Sequence, residues 1–293
     1  MLHLYDNYIF LQRMIVTSEI SPSPALAPFI RSYTYREFDT KGTDVIKPWH
    51  ASHLTNLVFF FKDVPLKLTA PITGEVLKEG ESCDVMGMST KYNGDLSFNG
   101  KYSFLQIFFQ PHGFYTLFNG SPIEITDKIV SGEDLFNSEI KLLHEQLYEA
   151  KSVGEMAELA NNWLLHYLNK KRRIDYKDRI TSAANLIIKN GGIINVDTLA
   201  DYACMSMRNF ERIFINETGM SPKELCCIAR FTNALELKLS YPSIKWTSIA
   251  HQTGYFDQMH LIKDFKRFCG EAPVSLLKHV PLFEEKYISR LSR

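Results

Sequence analysis

Two clusters of long side chains near the C-terminal end of the sequence are spaced as on one face of a helix. The first cluster contains Arg208, Glu211, Arg212 and Ile215, and the second contains their counterparts 51 residues later, Met259, Ile262, Lys263 and Lys266. An arginine can donate two hydrogen bonds to the O6 and N7 acceptors of guanine in the major groove. These residue types at this spacing are typical of a helix that contacts the base edges of duplex DNA.

Each cluster lies in one copy of an internal repeat. Phe214, Gly219 and Pro222 recur 51 residues later as Phe265, Gly270 and Pro273, whereas Leu199-Ala200 recurs 50 residues later as Ile249-Ala250. The one-residue difference falls in a turn, where an insertion is tolerated. Each copy predicts a helix, a tight turn and a second helix, with Ser206 and Asp257 as N-caps and Gly254 in the second turn.

The period of the second helices separates a core face from an exposed face. We expect the apolar stripes to be buried, and they contain Phe210, Ile213 and Phe214 in the first copy and Leu261, Phe265 and Phe268 in the second. We expect the phosphate backbone to be contacted by Lys245, Lys266, Arg267 and by N–H groups at helix starts. The N-caps Ser206 and Asp257, at those starts, are also predicted to contact DNA. Residues 171–293 carry a net charge of +6 and residues 1–170 a net charge of −6, which favours a polyanionic partner for the C-terminal part.

The C-terminal part strongly resembles the DNA-binding domain of AraC-type (AraC/XylS) bacterial regulators over residues 174–280. The resemblance is carried by LADYACMSMRNFERIFINETGMSP, RFTNALELKLSY and IAHQTGYFDQMHLIKDFKRFCGEAP. It implies a domain of seven helices whose two helix-turn-helix units are joined by a long helix over about Pro222 to Leu239. It also implies base-contacting roles for Arg208, Glu211, Arg212, Gln258, Met259 and Lys263.

Two departures from the family pattern have consequences. Cys204 stands where many members carry glycine, which implies a first turn that is slightly strained or differently shaped. Met259 and Ile262 replace polar side chains; they can contact a thymine methyl group but are poor hydrogen-bonding groups, so the second unit should specify less than the first.

The N-terminal part predicts an antiparallel β-structure because short runs rich in Val, Phe and Ile alternate with turn residues. We expect an α+β protein, with a small cupin-like β-barrel and flanking helices over residues 1–170 and the double helix-turn-helix domain over 174–293. LQIFFQPHGFYTLFNGSPIEITDKIV resembles, more weakly, the barrel sensor domains of such regulators. A small-molecule effector inside the barrel would contact Trp49, His50, Phe59, Phe61 and Phe108.

Helical spacing begins at about Glu139 and continues to a basic linker, Lys170-Lys171-Arg172-Arg173. Its apolar stripe, which includes Leu143, Leu147, Leu159 and Trp163, predicts either a dimer contact or docking of these helices on the barrel. The role of residues 1–13 stays open.

Other chemistry finds little support. The five cysteines lack paired metal-binding spacing and predict free thiols in a reducing cytoplasm. His50 and His53 are spaced as H-x-x-H without a third ligand, so we expect no metal. The sequence contains no nucleotide-binding or hydrolase motif and predicts no enzyme, catalytic residue or cofactor. No apolar run is long enough to predict a membrane span.

These observations predict a cytoplasmic, sequence-specific transcription regulator that binds double-stranded DNA and is controlled by an effector in the N-terminal domain. The alternative is a ligand-independent DNA-binding protein whose barrel serves only dimerisation. We expect a homodimer, with RNA polymerase as a further candidate partner. The effector, the target sequence and the choice between activation and repression stay open.

Overall fold

The computed structural model describes residues 16–62, 67–70, 73–170 and 179–276. Residues 1–13, Met14 and most of the basic linker lie outside the described residues. The N-terminal lobe, residues 16–170, contains ten strands. They are β1 Val16–Ile20, β2 Ile30–Asp39, β3 Val45–Pro48, β4 Asn56–Lys62, β5 Lys67–Thr69, β6 Val76–Glu79, β7 Cys83–Met86, β8 Asp95–Phe98, β9 Lys101–Phe109 and β10 Ile129–Ser131.

The strands form two antiparallel sheets, one of six strands in the order β1-β2-β9-β4-β7-β10 and one of four in the order β3-β8-β5-β6. The expected closed barrel is wrong: within the described ranges the hydrogen-bond ladders end at β1 and β10 in one sheet and at β3 and β6 in the other. The two sheets are instead joined by apolar packing between their facing sides. The α+β class and the antiparallel pairing are confirmed.

The six-stranded sheet is apolar on both faces because β4 and β9 carry apolar residues at odd and even positions alike. Val58 and Phe60 of β4 pack towards the four-stranded sheet. Leu57 and Phe59 pack on the opposite side, against helices. The period of two residues along a strand therefore assigns neighbouring phenylalanines to different cores.

Five helices complete this lobe: α1 Gly113–Phe118, α2 Pro122–Ile125, α3 Gly132–Phe136, α4 Ser138–Glu149 and α5 Val153–Lys170. Leu143 and Leu147 of α4 are buried in one core with Leu57 and Phe59. The docking alternative for this apolar stripe is thus confirmed. Trp163 of α5 is half-buried and packs edge-to-face on Phe136.

The C-terminal lobe, residues 179–276, is helical. Its helices are α6 Arg179–Lys189, α7 Val196–Tyr202, α8 Met207–Thr218, α9 Pro222–Ser240, α10 Trp246–Gln252, α11 Gln258–Cys269 and α12 Pro273–Leu276. These are the seven helices that the family resemblance implies. In the part of the chain that the structure describes, no helix is both long and apolar enough to cross a bilayer.

The docking of α4 makes a matched pair of substitutions informative. Leu147 is fully buried, whereas Leu142 on the same helix is 58% exposed. Leu147→Ala should lower the free energy of unfolding by about 2–5 kcal/mol because it leaves a cavity, and Leu142→Ala should change it by less than about 0.5 kcal/mol. Denaturant titration measures both values. Equal losses, or a Leu147→Ala protein that keeps its stability but changes its sedimentation, would assign the stripe to a dimer contact.

Candidate nucleic-acid interface

The first helix-turn-helix unit consists of α7, a tight turn and α8. Asn195 caps α7, its side chain accepting a hydrogen bond from the Asp197 N–H. The turn closes where the Met205 N–H donates to the Ala200 carbonyl oxygen at 3.0 Å. Cys204 has a φ of +52°, a left-handed conformation that is costly for a side chain with a Cβ. Of the two expectations for this turn, strain or a different shape, the left-handed φ of Cys204 favours strain.

The second unit consists of α10, a turn and α11. Gly254 has a φ of +74°, and the Tyr255 N–H donates to the Ala250 carbonyl oxygen at 2.9 Å. Asp257 caps α11, its carboxylate accepting from the His260 N–H at 2.7 Å. The predictions that Gly254 lies in this turn and that Asp257 is the N-cap are confirmed.

Ser206 occupies the N-cap position of α8, as predicted, but its hydroxyl makes no capping hydrogen bond. The first turn of α8 is closed by the backbone alone, where the Phe210 N–H donates to the Ser206 carbonyl oxygen at 2.9 Å. The prediction of a side-chain cap at Ser206 is therefore wrong.

The turn hydrogen bonds identify the residue that the second unit has in addition to those of the first. Met205 and Tyr255 make the same turn bond 50 residues apart, whereas the N-caps Ser206 and Asp257 are 51 residues apart. The additional residue of the second unit is therefore Phe256.

The two faces of α8 and α11 are divided as the helical period predicts. Phe210 and Phe214 of α8 and Phe265 of α11 are fully buried. The residues predicted to contact DNA are the N-caps of α8, α10 and α11, or lie at the start of α11 or on the faces of α8 and α11 opposite these buried rings. Exposed among them are Ser206, Arg208, Glu211, Arg212, Lys245, Asp257, Met259, Lys263, Lys266 and Arg267, and half-buried are Gln258 and Ile262.

Two of the cationic side chains make internal contacts. Arg212 donates to the Asn209 side-chain oxygen at 2.9 Å, one turn away on the same helix. Arg267, predicted at a phosphate, forms an ion pair with Glu224 of α9. Burial raises the pKa of Glu224 while the Arg267 guanidinium opposes that shift, so Arg267 has a structural partner between α11 and α9.

Helix α9 joins the two units through one continuous core. Phe231 of α9 contacts Phe265 and Phe268 of α11, with ring centroids 4.9 and 5.4 Å apart. Phe210 and Phe214 of α8 belong to the same core. The start of α9 is fixed by Ser221, whose side chain accepts from the Glu224 N–H.

The N-terminal lobe contacts both helix-turn-helix units at the ends of α8 and α11. The Thr126 hydroxyl donates to the carbonyl oxygen of Gly219, which ends α8, at 3.0 Å. The Ala51 N–H donates to the Phe268 carbonyl oxygen at 2.7 Å, and the Tyr92 N–H to that of Arg267 at 3.0 Å. These contacts leave the exposed faces of α8 and α11 uncovered.

A polar cleft of about 840 Å³ lies between the lobes, lined by residues that include Arg31, Lys189 and Asn233. His53 borders it while being almost fully buried. Burial, and secondarily the charge of Arg31, lowers the pKa of His53 to about 3. The ring is therefore neutral at physiological pH.

A second cavity, of about 170 Å³, lies between the two sheets of the N-terminal lobe. Trp49, His50 and Phe108 line it, as expected for effector contacts. Phe59 and Phe61 do not: they point to the other face of β4, where Phe59 is buried in the helix-side core and Phe61 contacts the ring of His144. The expectation for these two residues is wrong. Side chains alternate along β4, so Phe59 and Phe61 share one face while Val58 and Phe60 point into the cavity.

Sequence reasoning missed the polar groups of this cavity. Arg36 donates to the Gln106 side-chain oxygen at 2.7 Å, and Gln106 donates to Asn56 at 3.3 Å. All three line the cavity on the same face of the six-stranded sheet as Val58 and Phe104, and Val45, Leu96 and Phe98 of the four-stranded sheet line it from the other side. The sequence shows polar residues among the apolar ones in β2, β4 and β9. It does not show the pairing register of these strands, which brings the three polar side chains together. Within the described ranges, no cluster of three His, Cys, Asp or Glu side chains could hold a metal ion.

Comparison with known families matches residues 199–279 to "Helix-turn-helix domain" and residues 18–131 to "Domain of unknown function (DUF6597)". A stretch of 89 residues is 36% identical to a protein of Haemophilus influenzae described as an uncharacterized HTH-type transcriptional regulator. That stretch is 30% of this chain and spans 29% of the length of the relative.

Two solved structures are similar to the chain. ToxT from Vibrio cholerae O395 is similar over 96% of this chain and 99% of its own, with 11% identity and a TM-score of 0.44. The DNA-binding domain of AdpA, crystallised with a target DNA, is similar over 39% of this chain and 96% of its own, with 23% identity and a TM-score of 0.32.

Proposed function

We propose, from the premise that residues 199–279 are a helix-turn-helix domain of the AraC type, that this chain is a sequence-specific DNA-binding regulator of transcription. One observation carries the proposal. Two helix-turn-helix units share a single core through α9 and leave the polar faces of α8 and α11 exposed. Paired units of this kind place their second helices in major-groove segments on one side of the duplex.

Helix α8 supplies the stronger base contacts in this proposal. Arg208 and Arg212 are exposed one turn apart, and each can make a bidentate contact with guanine. Helix α11 offers Gln258 and Lys263 for polar contacts beside the apolar Met259 and so specifies fewer positions.

Phosphates are contacted by Lys245 at the start of α10, by Lys266 and by backbone N–H groups at the helix starts. The expected phosphate contact of Arg267 would require its ion pair with Glu224 to open or be shared. The division into domains at residues 1–170 and 174–293, a homodimer and contact with RNA polymerase remain predictions of this proposal.

The cavity between the sheets supports an effector. It has an apolar wall, and Arg36, Asn56 and Gln106 form its polar side, so we infer a small, mainly apolar molecule with one acidic group. About 150 Å³ is enough to hold a benzene-sized ligand.

A short path connects this cavity to the second unit. Trp49 and His50 line the cavity, and the next residue, Ala51, donates its N–H to Phe268 of α11. The ring of His50 also contacts Phe231 of α9, with centroids 6.3 Å apart. A ligand that moves residues 49–51 would shift α11 relative to the N-terminal lobe, which is the coupling that effector control requires.

The proposed roles of Arg212 and Lys266 predict different losses. Arg212→Ala should relax base preference at one or two positions of the bound site, since a bidentate pair contributes about 1–3 kcal/mol of discrimination. Lys266→Ala should weaken binding to all sequences equally and reduce the slope of log affinity against log salt by about 1. Selection from randomised duplexes, followed by binding titrations at several salt concentrations, measures both effects.

Glu149→Ala, on the N-terminal lobe, is the control and should match the unsubstituted protein in both assays. Affinity that hardly changes between low and high salt would rule out this mode of binding. A selected motif that survives Arg212→Ala but is scrambled by Met259→Ala would place the dominant base contacts on α11 instead.

The effector proposal predicts a ligand effect that depends on the face of β4. Small aromatic and aliphatic carboxylates should include members that raise the melting temperature of the full chain, because a ligand that binds only the folded state stabilises it. Val58→Phe, which fills the cavity, should abolish that rise. Phe61→Trp, on the same strand but facing the opposite side, should retain it.

Thermal unfolding without ligand establishes whether each variant is folded. Equal ligand responses in Val58→Phe and Phe61→Trp would show that the cavity is not the binding site. No response to any carboxylate would favour the alternative in which the N-terminal lobe serves only dimerisation.

A further inference from the structure

The inserted residue of the second unit, Phe256, is 95% exposed. It stands directly before the N-cap Asp257, at the end of α11 that would enter a major groove. A phenylalanine ring exposed to this extent leaves a large apolar area in water, which favours a role in binding.

The first unit shows why Phe256 has no place in the core. There, Met205 makes the turn hydrogen bond and packs against the core, and Ser206 follows at once as the N-cap. In the second unit, Tyr255 takes the place of Met205 and is only 5% exposed. The insertion therefore adds an exposed ring outside a turn that is already complete.

Phe256 is followed in sequence by further accessible apolar side chains at the start of a basic helix. Met259, in the first turn of α11, is 70% exposed, and Ile262, one turn further, is half-buried. Lys263 and Lys266 are exposed on the same helix. Two cations on this helix therefore complement the phosphates, while the apolar side chains near its start offer contacts other than hydrogen bonds.

The 5-methyl group of thymine is the apolar group that a base edge presents in the major groove. We propose that Phe256 and Met259 form a subsite for thymine methyl groups and give the second helix-turn-helix unit its base preference. This inference rests on the proposed DNA-binding function and adds a residue, Phe256, that determines specificity.

The test removes only the methyl group. A duplex selected by the full chain is synthesised with each thymine replaced in turn by deoxyuridine. At one or two positions this should weaken binding about fourfold, the effect of withdrawing one buried methyl group. Phe256→Ser should weaken binding to the thymine duplex by a similar factor and should abolish the difference between thymine and deoxyuridine at those positions.

Two variants serve as controls. Phe256→Leu retains an apolar side chain and should keep part of the methyl effect. Tyr148→Ala removes an aromatic ring that is 63% exposed on α4 and should leave the whole pattern unchanged. Because Phe256 is exposed, Phe256→Ser should unfold at the same temperature as the unsubstituted protein.

The outcomes separate this inference from the proposed function. Binding that falls steeply with salt but has no deoxyuridine effect dependent on Phe256 overturns the thymine subsite alone. If Phe256→Ser changes sedimentation and leaves the deoxyuridine pattern intact, the ring serves a protein contact and the subsite is likewise overturned. The absence of salt-dependent duplex binding would overturn both proposals.

Discussion

The packing of α9 against both helix-turn-helix units is the constraint on which the rest of the C-terminal lobe depends. This helix has 19 residues, and a helix of that length extends about 28 Å. Phe231 of α9 packs against Phe265 of α11, and the buried residues of α8 belong to the same core. Neither unit can therefore rotate without opening buried contacts. The separation of the two exposed faces is therefore a property of the fold rather than of a flexible connection.

The N-terminal lobe adds a second constraint because it contacts the C-terminal ends of both α8 and α11. The Thr126 hydroxyl donates a hydrogen bond to the carbonyl oxygen of Gly219, and the Ala51 N–H donates one to that of Phe268. The residues proposed to contact bases lie in the N-terminal halves of the same helices. A ligand between the sheets would act through residues 49–51, which join the cavity to α11, without covering the surface that we propose contacts DNA.

Local patterns predicted much of this structure, and non-local contacts account for the errors. The repeat, the turns and the N-cap Asp257 depend on spacing within short segments and are confirmed. The burial of the apolar stripes is confirmed except at Ile213, which is half-buried. The faces of Phe59 and Phe61 depend on strand register, and the open sheets depend on pairing between distant strands. The partner of Arg267 is Glu224, 43 residues away, which no local pattern indicates. The insertion was visible in the repeat offsets, but its assignment to Phe256 required the turn hydrogen bonds.

The spacing of the two half-sites on DNA tests the fixed separation most directly. Duplexes that carry the selected half-sites are compared as base pairs are inserted between them or deleted one at a time, with the affinity of the full chain as the measurement. The account predicts one sharp optimum at about one helical turn between the half-site centres, with binding lost when half a turn is added. Equal affinity across several spacings would contradict a rigid connection through α9.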